Sequence, residues 1–493
     1  MLTRISTTFL TIVLALAGNA AADVWLPGVI SDHMVLQRDA PVRIFGKAQP
    51  GEAVSVLFRG QTARAVTDPL GRWEVWLQPL TGGPAAAMTI QGTNTITIAD
   101  VLVGDVWIGS GQSNMQWPVR QSDNADAEIA SANFPQIRLF YVPRKTSSVP
   151  VDDVDARWVV CTPESVKEFS AVLYFFGRQM HQDLKTPMGL IHSSWGGTPI
   201  ASWLSGPSLV GNPRLEPFLT FWQNAILQYP ANLARQEQAL KTWEAGGSQG
   251  PRPAPPLGPG HAHEPTTLYN AMIAPLAKYT IKGALWYQGE TEAGRAQGDI
   301  YGEALMTLVQ DWRRAFGQGD FPMYWVQLAN YGNAAKNGHW MRVQEGQVKA
   351  TALRNTGVAI INDIGNPTNI HPTNKQDVGR RLALLAQNKD ASPLYRQITR
   401  EGDAIRIWFD HTGKALKARG GGPLKGFQIA GPDGKYVEAT ARIEGVTVLV
   451  SSPEVSNPQW VRYAWDYNPD ANLINESGLP ASAFRTDAND ERP

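Results

Sequence analysis

Between Val101 and about Asn388 short apolar segments recur, each followed by a longer amphipathic stretch, and no other feature constrains the fold as much. The strand candidates are Asp105 to Ile108, Ile137 to Val142, Met188 to Ser193, Lys282 to Tyr287, Met323 to Leu328 and Gly357 to Asn362. Apolar strands separated by helical crossovers pair in parallel and need cover on both faces, so the pattern predicts an α/β unit with a mainly parallel sheet. In one crossover Tyr301, Leu305, Leu308 and Trp312 recur at helical spacing, and that face should pack on the sheet.

The flanks read differently. From Val24 to about Asp100 the chain alternates polar and apolar residues, as in Val42-Arg43-Ile44-Phe45-Gly46 and Ala53-Val54-Ser55-Val56-Leu57-Phe58, with Pro50-Gly51 as a turn between them. Alternation returns after about Asp390, as in Ala404-Ile405-Arg406-Ile407-Trp408. The expected division is a β-sandwich module over 23–100, an α/β domain over 101–389 and a second β module over 390–493. Dividing 493 residues by about 150 per domain likewise gives roughly three. The Pro/Gly-rich stretch from Pro251 to Gly260 reads as a long surface loop.

Residues 1–22 carry Arg4, an apolar run from Phe9 to Leu16 and Ala20-Ala21-Ala22, the layout of a cleavable signal peptide. An apolar run of about 10 residues cannot span a bilayer core that takes about 20. The expectation is an exported protein, periplasmic or extracellular. The single cysteine, Cys161, leaves no intramolecular disulfide, and with no second cysteine or nucleophile signature near it, it reads as packing.

The 44 basic and 44 acidic side chains cancel, which argues against nucleic acid or an anionic membrane as partner, because both need a basic surface excess. The 17 tryptophans point the other way, since indole offers an apolar face and one N–H donor, the combination that suits sugars.

The chemistry gathers at strand ends, where open α/β sheets bind ligands. The strand at Asp105 runs into Gly109-Ser110-Gly111-Gln112-Ser113-Asn114-Met115, which would present Ser113 at a helix start with its N–H free for a developing oxyanion. Taken alone, this is also the signature of an ordinary N-cap serine. The strand at Met188 ends in Ser193-Ser194-Trp195-Gly196-Gly197-Thr198, whose paired glycines allow close backbone approach. A third strand ends in Trp286-Tyr287-Gln288-Gly289-Glu290, and a fourth leads through Asp363 and Asn369 to His371-Pro372. A serine, a glycine pair and a histidine at one sheet edge favour nucleophilic catalysis over four unrelated structural roles.

These segments resemble a known family. GDVWIGSGQSNMQWPV at 104–119, SWGGTPIASW at 194–203, LYNAMIAPL at 268–276, GALWYQGET at 283–291 and IHPTNKQDVGRRLA at 370–383 are similar to the sialate O-acetylesterases of the SGNH hydrolase superfamily. The resemblance includes GVISDHMVLQRDAPVRIFG at 28–46. It implies an SGNH-hydrolase-like α/β/α domain flanked by small β-sandwich modules, and a serine carboxylic ester hydrolase that takes acetyl groups from an O-acetylated mono- or oligosaccharide. Ser113 would be the nucleophile and His371 the general base. Gly197 and Gln288 would supply the oxyanion hole with the Ser113 N–H. Bacterial relatives in this group also deacetylate plant cell-wall sugars such as xylan or xyloglucan, so the substrate stays open between sialate and those sugars.

One departure bears on the third catalytic member. Many SGNH hydrolases carry Asp three residues before the histidine, where this chain has Thr368 followed by Asn369. The orienting acid would then be Asp363, with Glu290 as second choice, or a backbone carbonyl would complete a dyad. Trp117, Arg120 and Trp195 flank the motifs as candidate substrate contacts, Arg120 for a substrate carboxylate or a nearby acid. His261-Ala262-His263-Glu264 lies in the Pro/Gly-rich region and lacks a further ligand, so neither a metal nor a cofactor is expected. His192 reads as a buried, hydrogen-bonded histidine, and Arg380 and Arg381 as a helix surface. The competing class is a catalytically silent glycan-binding homologue.

Overall fold

The computed structural model describes residues 23–333 and 336–487. The expected signal peptide at 1–22 lies outside them. Among the described residues no helix is long and apolar enough to cross a membrane.

A mainly parallel sheet forms the centre. In spatial order its strands are Thr356–Ala359, Met323–Val326, Gly283–Tyr287, Thr95–Gly111, Met188–Ser194 and Phe134–Tyr141, all parallel, with Trp158–Cys161 antiparallel at the edge. The six expected strands are present. The edge strand Trp158–Cys161 was not anticipated, because its four residues carry too little alternation to separate from a loop.

Both faces of the sheet are covered, which is why its strands read as nearly unbroken apolar runs. Trp107, Leu285, Tyr287 and Val326 point to one core, shared with Leu173, Phe176, Val378 and Leu382 of the helices Ala171–Leu184 and Lys375–Ala386. Ile108, Ala284, Trp286 and Trp325 point to the other, shared with Tyr301, Leu305, Leu308 and Trp312 of the helix Gly298–Phe316. That helix buries the face its spacing predicts. It meets the helix His339–Lys349 at Gly302 and Gly346, where an added Cβ would come within 3.0 Å of the opposing backbone.

The amino-terminal strands are continuous with this centre. Ala86–Gln91 pairs antiparallel with the start of Thr95–Gly111, and Val35–Gln37 pairs in parallel with its middle. The strand Thr95–Gly111 runs 17 residues without a break, so the expected boundary at 100 falls inside one strand. Two four-stranded antiparallel sheets dominate the carboxy-terminal part, one containing Leu394–Glu401 and Ala404–Asp410, the other Phe427–Ala430 and Trp460–Tyr463, beside a two-stranded pair of Leu416–Ala418 with Leu473–Asn475. Ile405, Ile407, Val448, Phe427, Ile429 and Val461 form a core of their own between them.

The 30-residue helix Glu216–Ala245 precedes the expected surface loop at Pro251 to Gly260. Only Phe218 of it is buried, and Pro230 sits inside it. A helix with so little apolar face leaves no periodic signal.

Candidate active site

Four strand ends meet at one edge. The strand Thr95–Gly111 ends at Gly111, whose φ of 134° and contact with the Tyr287 backbone leave no room for a Cβ. The chain then turns into the short helix Ser113–Gln116 with Gln112 as its N-cap. Gln112 is not a side-chain cap. Its Oε1 instead accepts from the Gln288 amide at 3.1 Å and lies near the Gly289 and Thr291 N–H groups. The serine is therefore the first helical residue, one place beyond the N-cap position of the bland alternative.

His371 Nε2 stands 2.8 Å from Ser113 Oγ. The imidazole stacks on Trp117, with ring centroids 4.9 Å apart and planes 22° from parallel. Its backbone N–H donates to Asn369 Oδ1 at 2.9 Å, so the loop before the histidine is itself fastened. Trp117 Nε1 donates to the Gln121 carbonyl, which holds the indole in place. Burial and the nearby Lys375 both lower the affinity of His371 for a proton.

Neither expected acid reaches the imidazole. Asp363 accepts from both terminal nitrogens of Arg381, at 2.6 and 2.7 Å, and from Arg419 at 2.8 Å. Arg381, expected on a surface, is buried and also donates to the Ile360 carbonyl. Asp363 thus joins the loop that carries His371 to the carboxy-terminal part that carries Arg419. Glu290 is buried, with Oε1 accepting from Asn114 Nδ2 at 2.6 Å and Oε2 unpartnered. Burial raises its pKa above the ordinary carboxylate value.

The glycine pair lies against the serine. A Cβ on Gly196 would sit 3.2 Å from Ser113 Cβ and from Gln116 Oε1, and the Gly196 N–H already donates to that oxygen at 2.7 Å. Gly197, with φ of 76°, is exposed, has open space around its Cβ position and no partner for its N–H among the described residues. Gln288 is arranged otherwise. Its amide nitrogen contacts Glu292 at 2.5 Å, Gln112 at 3.1 Å and the Thr198 carbonyl at 3.2 Å. Two N–H donors shared among three acceptors leave none for an oxyanion. Glu292 Oε1 in turn accepts from the Ile200 N–H, so Gln288 and Glu292 brace the glycine loop from behind.

Residues that sequence reasoning passed over complete the arrangement. Asn114 Nδ2 also donates to the Ile370 carbonyl at 3.1 Å, and Asn114 Oδ1 accepts from Lys375 Nζ at 2.6 Å. Both residues lie inside the quoted GQSNM and IHPTNK segments, but an amide and a lysine carry no pattern of their own. Burial lowers the pKa of Lys375 to about 7.

A cleft of about 560 Å³ opens beside the serine helix, lined by Gln116, Arg120, Tyr141, Arg144, Arg157 and Glu168 among others. Arg120 pairs with Glu168 at 2.5 Å, both being well exposed. Arg144 lies over the ring of Trp195 at 5.9 Å and forms no ion pair among the described residues. His192 is fully buried, bonded to Ser194 Oγ at 2.5 Å, and burial holds its pKa down to about 3. Cys161 is buried, its thiol pushed up to about 12 by desolvation. His263 lies against Arg295 at 2.7 Å, and no group of three metal-ligating side chains occurs among the described residues.

The family described as "Carbohydrate esterase, sialic acid-specific acetylesterase" matches residues 232–387, which include Gln288, Glu290 and His371. The chain is similar to sialate O-acetylesterase of Mus musculus, 34% identical over 409 residues, covering 73% of this chain and 72% of that one. It is similar to the Homo sapiens enzyme at 33% over 399 residues, covering 73% and 69%. Among solved structures it resembles a carbohydrate acetylesterase from Xanthomonas citri, with a TM-score of 0.82 and 37% identity over 95% of this chain and all of that one.

Proposed function

The chain belongs to the sialate O-acetylesterase family and is a hydrolase of the carbohydrate esterase class, and we propose that Ser113 and His371 make it an exported O-acetylesterase acting by covalent catalysis. The contact of 2.8 Å between His371 Nε2 and Ser113 Oγ carries this reading.

Ser113 Oγ attacks the acetyl carbonyl of the sugar ester while His371 Nε2 takes the hydroxyl proton. The carbonyl oxygen becomes an oxyanion. The Ser113 and Gly197 N–H groups are its donors in this reading, supported by the free Gly197 N–H and the close approach of Gly196 to the serine. One such donor contributes about 3 to 4 kcal/mol of barrier lowering. The intermediate collapses as His371 returns the proton to the departing sugar oxygen, which leaves Ser113 acetylated. Water then gives its proton to His371, attacks the acetyl-enzyme and releases acetate, and His371 reprotonates Ser113. Among the described residues no carboxylate bonds to His371, and in this reading the engine is a dyad.

The substrate in this reading is an O-acetylated sugar, a sialate as the names of the relatives suggest. A second reading, an acetylated plant cell-wall oligosaccharide, is favoured by Arg120. The arginine placed to meet a sugar carboxylate is already paired with Glu168. Acetate release from O-acetylated sialic acid and from acetylated xyloglucan oligosaccharides, measured side by side, decides between them. The first reading expects the higher kcat/KM on sialate and fails if only the neutral oligosaccharide is turned over. Export rests on the layout of residues 1–22, and amino-terminal sequencing of secreted protein, with cleavage after Ala22 expected, tests it.

A further inference from the structure

We propose that Lys375 is a positioning residue of this site: through the amide of Asn114 it fixes the Ser113 turn to the His371 loop, and its buried ammonium sets the pH range over which His371 can act as base. The proposal rests on the Ser113 and His371 reading of catalysis.

Three turns meet at one amide. Asn114 follows the nucleophile, and its Nδ2 donates to the Ile370 carbonyl, the residue before His371, at 3.1 Å. The same nitrogen donates to Glu290 Oε1 at 2.6 Å, from the turn after the strand Gly283–Tyr287. Its oxygen accepts from Lys375 Nζ at 2.6 Å, from the first turn of the helix that follows His371. An amide has one acceptor and two donor sites, so these bonds fix its orientation and remove the freedom of the turn that carries Ser113. Contacts that hold reacting groups within hydrogen-bond reach act chiefly on kcat.

Lys375 itself is fully buried, which is costly for an ammonium unless polar or aromatic neighbours answer it. Beyond Asn114 it has the ring faces of Tyr287 at 5.3 Å and Trp117 at 5.9 Å. Trp117 is the ring on which His371 stacks. Each element packed near this loop brings ionisable side chains. Ser113 comes from the nucleophile turn and Lys375 from the following helix. Glu290, behind Asn114, comes from the third turn. Asp123, whose N–H donates to the Thr373 carbonyl, comes from the segment after the nucleophile helix. Asp377 and Arg380 pair with each other.

A cation near an imidazole disfavours imidazolium, so His371 stays neutral, and able to accept the serine proton, at lower pH than an isolated histidine would. An orienting carboxylate would act in the opposite direction. Lys375 thus accounts for what a dyad without an acid can do that a triad does not: keep its base unprotonated in mildly acidic surroundings.

The test is the pH profile of kcat/KM on a chromogenic acetyl ester for the full chain and for Lys375→Met, Lys375→Gln and Ser113→Ala. The acid limb of the wild type is expected below about 6.5, the ordinary histidine value. In both lysine variants it should move up by about half a pH unit or more. Lys375→Met should lower kcat by about tenfold or more with KM little changed, and Lys375→Gln, which keeps a donor toward Asn114, should lose less. A limb that stays in place in both variants overturns the proposal, however far kcat falls. A wild-type limb at or above about 6.5 overturns it even if neither variant folds. Should Ser113→Ala keep the wild-type rate, the catalytic reading fails and takes the proposal with it; an inactive Ser113→Ala with unmoved limbs overturns the lysine role alone.

Discussion

Asp363 and His371 leave the sheet on one loop yet share no hydrogen bond: His371 turns to Ser113, and Asp363 is held by Arg381 and Arg419. The loop therefore makes two contacts, with Ser113 at one end and with Arg419 of the carboxy-terminal part at the other.

Replacing Asp363 with Asn should consequently weaken the fold more than the reaction. It leaves the buried Arg381 without its counter-charge, and breaking one side of a buried pair costs about 3 to 5 kcal/mol. Asn retains one oxygen and Arg381 keeps the Ile360 carbonyl, so about 2 to 3 kcal/mol is expected from urea denaturation. Per folded molecule, kcat/KM should stay within about tenfold of wild type. Loss of a true triad acid would approach about ten-thousandfold.

Gln288→Leu makes a similar distinction for the oxyanion hole. With its donors spent on Glu292, Gln112 and the Thr198 carbonyl, its removal strands a buried carboxylate and should cost about 1 to 3 kcal/mol of stability. Deacetylation at saturating substrate, corrected for the folded fraction, should fall by less than about tenfold. A missing oxyanion donor would cost about a hundredfold or more.

Trp117, a candidate substrate contact, lies against the imidazole. Trp117→Ala frees the ring of His371 and should lower kcat by about tenfold with a smaller change in KM, whereas Trp117→Phe should keep most of the rate. Steady-state kinetics of the two variants on one acetyl ester separate this role from substrate binding, which would act on KM first.

His192 makes stability depend on pH. Folded, it is held neutral down to about 3, while in an unfolded chain it takes up a proton near 6.5. Between those values the unfolded state binds the extra proton, so stability falls as the pH falls from about 6.5 toward 3; above 6.5 the contribution is flat. Urea midpoints measured from pH 7 to pH 4.5 should decline in the wild type and decline less steeply in His192→Phe.

Much of this was legible in the chain. The strand candidates expected to close at Ile108, Ser193 and Tyr287 are apolar runs followed by Gly, Ser or Gln, and the parallel sheet and the edge that gathers the candidate site follow from them. Ser113, His371 and the glycine pair meet as their positions at strand ends require. What was not legible depends on partners far apart in sequence. Asp363 is the nearest acid preceding His371 in the chain, but Arg419 lies in another block, and no local pattern announces that it reaches back. Gln288 stands beside the right strand end, but which way its amide faces is decided by Glu292, one helical turn further on. Arg380 and Arg381 are both expected on a helix surface, but at helical spacing adjacent residues point about 100° apart, and of the two only Arg381 is buried. The strand Thr95–Gly111 runs on through the expected boundary at 100: its burial changes from alternating to complete after Asp100, whose φ of 54° and the shifted register opposite it mark an irregularity within the strand, not its end.

The central claim is that Ser113 and His371 perform the hydrolysis. Acetate release from an acetyl ester by wild type, Ser113→Ala and His371→Ala, each verified as folded by circular dichroism, tests it most directly. Turnover by the wild type with both variants reduced by about a thousandfold or more is the predicted result; a variant within about tenfold of wild type, or a wild type without activity, would contradict it.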